Sequence, residues 1–280
     1  MLTGVSPTNP ALGAEPRQPA VAGRFYPGDP VTLAATLNRF LHSDVEPAPA
    51  LALMGPHAGY VYSGAILGET YAAVEIPPTV VVMSPNHTGR GVRESLWSGG
   101  PWLTPDGAVE IDDQLTAAIE AKTPATYDRE AHRHEHAIEV HVPFIHARRR
   151  DARIVPITLG RLDYPGCERL GLTLAEVIRQ HPTDVLIAAS TDMSHYLDAA
   201  TAERLDRMAL DAVVALDPKR LHRTVEEHQI SMCGYVPTTV ALVAAKALGA
   251  TSSELVRYGS SGEASGDHDR VVGYAGAIIR

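Results

Sequence analysis

Cysteine is scarce: the 280 residues contain only Cys167 and Cys233. Two thiols cannot make a disulfide framework, so a reducing cytoplasm is the expected setting. Aromatic residues make up 5%, with three Phe and two Trp, which argues against a surface that stacks nucleobases. Positive charge is also in deficit, 24 Lys and Arg against 33 Asp and Glu, for a net charge of -9. That balance excludes nucleic acid or an anionic membrane as the expected main partner. No apolar run approaches the ~20 residues that a bilayer span needs. Neither a P-loop nor a G-x-G-x-x-G follows any strand, and there is no G-x-S-x-G elbow. Nucleotide binding and serine-nucleophile hydrolysis therefore lack their signatures. Residues 1–20, rich in Pro, Ala and Gly, have no basic start leading into an apolar core, and read as a flexible tail rather than a signal peptide.

What is present is a repeated pattern of apolar run, loop and histidine. Leu51-Ala52-Leu53-Met54 leads into Gly55-Pro56-His57-Ala58-Gly59-Tyr60-Val61-Tyr62-Ser63-Gly64, where Gly55, Gly59 and Gly64 are expected to form turns. Thr79-Val80-Val81-Val82-Met83 is closed by Ser84-Pro85-Asn86-His87, and Asp184 to Ala189 by Ser190-Thr191-Asp192-Met193-Ser194-His195-Tyr196. Open α/β sheets bind ligands in the crevice beyond the carboxyl ends of their strands, so these histidines stand where a site is expected. Cys233-Gly234 precedes a long apolar segment through Leu248 and places a thiol at a helix entrance. Three strand-to-loop histidines and a cysteine have the chemistry of a site for iron, copper, zinc or nickel. A helix amino end is expected to favour the Cys233 thiolate, whereas Cys167 reads as core. Asp192 has three open roles, as ligand, base or orienter of His195.

The elements between these loops alternate. Helices are expected over Val31–Leu41, 65–72, 112–122, 167–180, 199–216 and 235–248, with the acids of 112–122 at its favourable amino end. Short strands are expected at 94–98, 101–103 and 108–111, and closing strands at 254–258 and 271–279. Ala152 to Leu159 reads as a strand that Pro156 confines to an edge or a bulge. Strands alternating with helices and no linker midway predict one α/β domain over residues 21–280, with a central mostly parallel or mixed sheet flanked by helices.

The run Glu130 to His146 is the densest in histidine but lacks the metalloprotease spacing of two histidines around a Glu on one helix face. His132 and His134 read as exposed loop. His136, Glu139 and His141 interrupt the apolar rhythm of Ile138, Val140, Val142 and Ile145, which suits groups that orient ligands or substrate.

Taken with Glu135 to Phe144, Cys233-Gly234, Gly262 to Asp267 and Val271 to Gly276, the loop motifs resemble the Memo-like family, called AmmeMemoRadiSam system protein B in prokaryotes. The resemblance runs from Arg24-Phe25-Tyr26-Pro27 to the last strand. It implies the fold of class III extradiol dioxygenases and a metal site on His57, His87 and Cys233. Asp192 and His195 match family positions lining the same pocket and are the expected catalytic groups, and His136, Glu139, His141 and Tyr60 are expected around them. The expected metal is Fe(II), with Cu or Zn as alternatives. Cysteine in the third place departs from the two-histidine, one-carboxylate set of the dioxygenases and puts ring cleavage in doubt. The resemblance also implies radical-SAM and AmmeMemo-type partner proteins. Three function classes fit: a non-haem metal oxidoreductase, a metal-binding or redox-control protein without turnover, and an interaction module using the cleft to bind a peptide or partner. A zinc hydrolase is a fourth.

Overall fold

The structure, a computed structural model, describes residues 15–42, 46–97 and 99–280. From the amino end come α1 (Pro30–Phe40), β1 (Ala52–Gly55), α2 (Tyr60–Ala72), β2 (Thr79–Pro85), β3 (Glu94–Leu96), β4 (Trp102–Thr104), β5 (Gly107–Val109), α3 (Asp113–Glu120) and β6 (Thr126–Tyr127). Next are α4 (Glu130–Arg133), α5 (Val142–Arg148), β7 (Arg153–Leu159), α6 (Tyr164–Gln180), β8 (Val185–Ser190) and β9 (His195–Leu197). The chain closes with α7 (Ala199–Val214), α8 (Pro218–His228), α9 (Tyr235–Leu248), β10 (Ser253–Ser260), α10 (Gly262–Ser265) and β11 (Val271–Ile279).

The main sheet has the order β10-β11-β1-β8-β2-β7-β3-β6, with β9 paired to β11. Its centre, β1, β8, β2 and β7, is parallel, and β11, β10 and β3 join antiparallel, so the sheet is mixed. Every residue of β1, β2 and β8 is buried, as expected for strands covered on both faces. Side chains alternate between the faces. Ala52, Met54, Val81, Met83, Ile187 and Ala189 join one core with α3, α6, α7, α8 and α9. Leu53, Val80, Val82, Leu186 and Ala188 join the other with α1, α2 and α5. Among these, α9 has ten consecutive buried residues, Val236 to Ala245, and so is enclosed on all sides rather than amphipathic.

Several local expectations change. The helix after His57 begins at Tyr60, so Gly64 is helical rather than in a turn. With Gly68 it gives Phe40 of α1 room to lie against α2, since a Cβ on Gly68 would stand 2.5 Å from the Phe40 carbonyl oxygen. β7 is an interior strand despite Pro156, which faces Val82 of β2. The missing N–H falls just past the end of β3, where the Trp97 N–H to Pro156 carbonyl bond (3.2 Å) is the other half of the pair. α8 was not foreseen, although Asp217 caps it by accepting from the Arg220 N–H and Pro218 sits in its first turn.

Residues 1–14 of the expected tail lie outside the described residues, as does Ser98 of the expected strand 94–98. Residues 15–20 are anchored rather than loose. Arg17 is 3% exposed, its N–H bonds the Pro101 carbonyl (2.9 Å), and its guanidinium lies 4.0 Å over the Trp102 ring.

Candidate metal centre

In β1, β8 and β2, adjacent and parallel, Gly55 lies opposite Ser190, and Met83 opposite Ala189. Their carboxyl ends are therefore level, and the loops carrying His57, Asp192 and His87 emerge side by side. The segment 134–141, ahead of α5, brings in His136. One ring nitrogen from each of His57, His87 and His136 lies within 4.8 Å of the others. Ring centroids are 5.1 Å apart for His57–His87, 5.4 Å for His57–His136 and 4.8 Å for His87–His136. Ligands at about 2.1 Å from a shared zinc ion would stand ~3.4 Å apart in a tetrahedron, so the three nitrogens would draw closer on binding.

The surroundings select the tautomers. Ser190 Oγ donates its proton to the Ala137 carbonyl (2.8 Å), so the 2.7 Å contact with His57 Nδ1 needs the ring to donate. His57 Nε2 is then left with its lone pair. His87 Nδ1 donates to Glu135 Oε1 at 2.9 Å, which likewise leaves Nε2 free. Burial, then the neighbouring rings, push the His57 pKa well below its usual value, and burial lowers that of His136. At His87 burial opposes the charge, but the hydrogen bond and charge of Glu135 outweigh it and the pKa rises. Glu135, 1% exposed, would be raised by burial, yet its bonds to His87 bring it below the usual range.

Cys233 lies beside this triple. Its sulfur is 3.3 Å from His57 Nε2 and accepts the Asp192 N–H at 3.3 Å. Close approach of α9 to the end of β8 requires Gly234, because a Cβ there would meet the Ser190 carbonyl oxygen at 2.2 Å. The expected thiolate is not what the surroundings favour. Burial, then the Asp192 charge, push the thiol well above its ordinary range, which outweighs the helix end behind it. Cys167 is buried in α6.

Asp192 Oδ1 accepts the His57 backbone N–H (2.8 Å) and Oδ2 is 3.9 Å from His57 Nε2. Its carboxylate thus holds the first histidine loop. Burial lifts its pKa to about 6, offset by the bond from His57. His195 is clamped to Ser231 instead, its N–H donating to Ser231 Oγ (2.8 Å) and its Nδ1 to the Ser231 carbonyl (2.9 Å), leaving Nε2 as the free nitrogen.

The other expected pocket residues are engaged in hydrogen bonds and packing around the centre. Glu139 accepts from Arg17 Nη1 and the Ala20 N–H (2.8 Å each), the Val21 N–H (2.9 Å) and the Tyr26 hydroxyl (2.8 Å). It tethers the amino-terminal strap. His141 is fully buried, with Nδ1 3.0 Å from the Tyr71 hydroxyl, and burial holds its pKa at about 3. Tyr60 is a packing residue among Tyr26, Phe40 and Phe144, its hydroxyl donating to the Val140 carbonyl (2.8 Å). His132, expected in solvent, is 0% exposed between Trp97 and Trp102, while His134 is exposed. The expectations omitted the roles of Glu135, Ser190 and Ser231. A carboxylate directly before His136 was a readable signal for the first.

A single α/β domain with three imidazoles converging at the ends of parallel strands defines a candidate metal-binding protein. A family profile described as Memo-like protein matches residues 17–278. A MEMO1 family protein of Aquifex aeolicus is 41% identical over 267 residues, covering 94% of this chain and 98% of that one. Another, from Methanothermobacter thermautotrophicus, is 39% identical over 272 residues, covering 92% and 98%. This chain belongs to the Memo family. Among solved structures, an uncharacterized protein from Escherichia coli K12 matches with a TM-score of 0.55 at 14% identity, covering 81% of this chain and 98% of that chain, a likeness of fold. Among the described residues no helix is long and apolar enough to cross a membrane.

Proposed function

We propose that this protein binds a divalent transition metal on His57, His87 and His136, with Fe(II) first and Cu as an alternative for redox chemistry, and Zn as an alternative that would supply Lewis acidity alone. The observation that carries the reading is the convergence of three ring nitrogens within 4.8 Å, two of whose rings spend Nδ1 on a fixed partner. Imidazoles that bind through a deprotonated ring nitrogen suit iron, copper and zinc alike. When bound, such a metal supplies Lewis acidity or one-electron chemistry. Cys233, against His57 Nε2, offers a softer fourth donor. Asp192 holds the His57 loop in place, and His195, with Nε2 free, is the group that accepts a proton from a substrate in the cleft. Beside Cys233 a pocket of about 430 Å³, walled by Leu159, Val225, Ile230 and Val236, offers room for a small molecule.

Metal analysis of protein purified without oxygen tests this reading. The parent should carry about one equivalent, and His57→Ala and His136→Ala should lose it. A parent that binds no transition metal under argon overturns the proposal. Metal retained in His136→Ala but lost in Cys233→Ser would transfer the third position from the imidazole to the thiol.

A further inference from the structure

We infer that Glu135 is the positioning residue of this centre, a single buried carboxylate that hydrogen-bonds His87 and faces His136, so that both exposed rings offer Nε2 to a metal. The inference rests on the metal reading above and adds the device that prepares the site. Oε1 lies 2.9 Å from His87 Nδ1 and 3.4 Å from His136 Nδ1, and it also accepts the Ala137 N–H at 3.0 Å. Oε2 accepts the His87 backbone N–H at 2.6 Å. An ionised carboxylate only accepts hydrogen bonds, so His87 presents a protonated Nδ1 to it, and the negative oxygen 3.4 Å from His136 Nδ1 favours a proton on that nitrogen as well, which leaves Nε2 of each ring as the nitrogen for a metal. The two rings lie nearly parallel, 22° between planes, as two rings facing one oxygen would.

His87 and His136 need such a hold. Their side chains are 32% and 25% exposed, against 2% for His57, which is confined by packing and Ser190. Glu135 is itself rigid: its carbonyl accepts Arg17 Nη2 at 2.6 Å and its N–H reaches the His132 carbonyl at 3.3 Å. Among the described residues its carboxylate is bonded to His87 and to the neighbouring Ala137 N–H and stands beside His136, so the side chains it meets are candidate ligands. Carboxylates behind metal-binding histidines orient the ring, and their loss typically costs about 10–100-fold in metal affinity.

Glu135→Gln supplies the test, since it keeps the shape and adds an amide donor that can turn a ring to its Nε2–H tautomer. Nitrogen-15 NMR of metal-free protein reads the tautomers, and titration with Zn²⁺ or Co²⁺ reads affinity. The parent should show Nδ1–H at His87 and His136. The variant should show Nε2–H or a mixture at one ring or both, with affinity lowered about 10–100-fold. Parent-like tautomers with affinity within twofold would overturn the inference. If the glutamine variant does not fold, Glu135→Asp carries the test: its shorter ionised side chain should keep Nδ1–H at one ring and release the other to a mixture. Both rings unchanged would then overturn the inference. A parent with the expected tautomers that binds neither metal would refute the metal reading and with it the positioning role, leaving only the hydrogen bonds.

Discussion

Glu135 and Glu139 stand four residues apart on one short segment, and each is 1% exposed. One faces the ends of the parallel strands and holds a histidine of the candidate centre. The other faces the amino-terminal strap and takes four hydrogen bonds from Arg17, Ala20, Val21 and Tyr26. Burial of a carboxylate therefore says nothing about its role; the donors that reach it do. On the strap side those donors are backbone groups, a guanidinium and a phenol, all consumed in cohesion. On the other side they include an imidazole that has a second nitrogen left over for chemistry.

Acid should affect both sides most. His132, under the strap, and His141, beneath β1, are held at about 3 by burial against an ordinary 6.5. Both are neutral when folded and protonate near 6.5 when unfolded, so their contribution is full above 6.5 and is lost as pH falls towards 3. Two units below the ordinary value, the loss is on the order of 2–3 kcal/mol per ring. Urea unfolding at pH 7.5 and 4.5 reads it, and His132→Leu or His141→Leu should flatten the slope. Equal slopes in parent and variants would show that other groups carry the acid sensitivity.

Next in size is Glu139→Ala, which strands the Arg17 guanidinium and should cost about 3–5 kcal/mol. Zinc affinity at a temperature where the variant is folded should stay near the parent value. A large affinity loss there would erase the distinction between the two carboxylates. Glu135→Gln should do the reverse, with the affinity loss outweighing a smaller change in stability. Cys233→Ser should weaken binding severalfold, less than His136→Ala, because the thiol lies beside the triple. Cys167→Ser, remote in α6, should leave affinity unchanged, and titration of all three under argon ranks them.

Much of the fold was legible because burial on both faces writes itself into strands as unbroken apolar runs. Thr79–Met83 and Asp184–Ala189 could be read that way, and the loops after them carry histidines at a place where α/β sheets open. α8 was missed although its Asp-Pro cap was in view, because its buried positions are few and its polar face dominates. In the candidate site His57 and His87 were readable from local pattern. His136 as their close neighbour was not, since a histidine-rich run offers several rings and only the path of 134–141 selects one.

The amino-acid sequence by itself determined the alternation of elements, the single α/β domain and the loops that could bear ligands, since each follows from local periodicity and backbone chemistry. Tertiary structure decided which groups meet. The level ends of β1, β8 and β2 bring His57 and His87 together, the path of 134–141 adds His136, and the same path turns Glu139 away to the strap. The approach of α9 to β8 through Gly234 sets Cys233 against His57 and Asp192, where burial and the Asp192 charge push its thiol pKa up. Such meetings depend on register and on loops that cross between distant strands, and no window of neighbouring residues contains them.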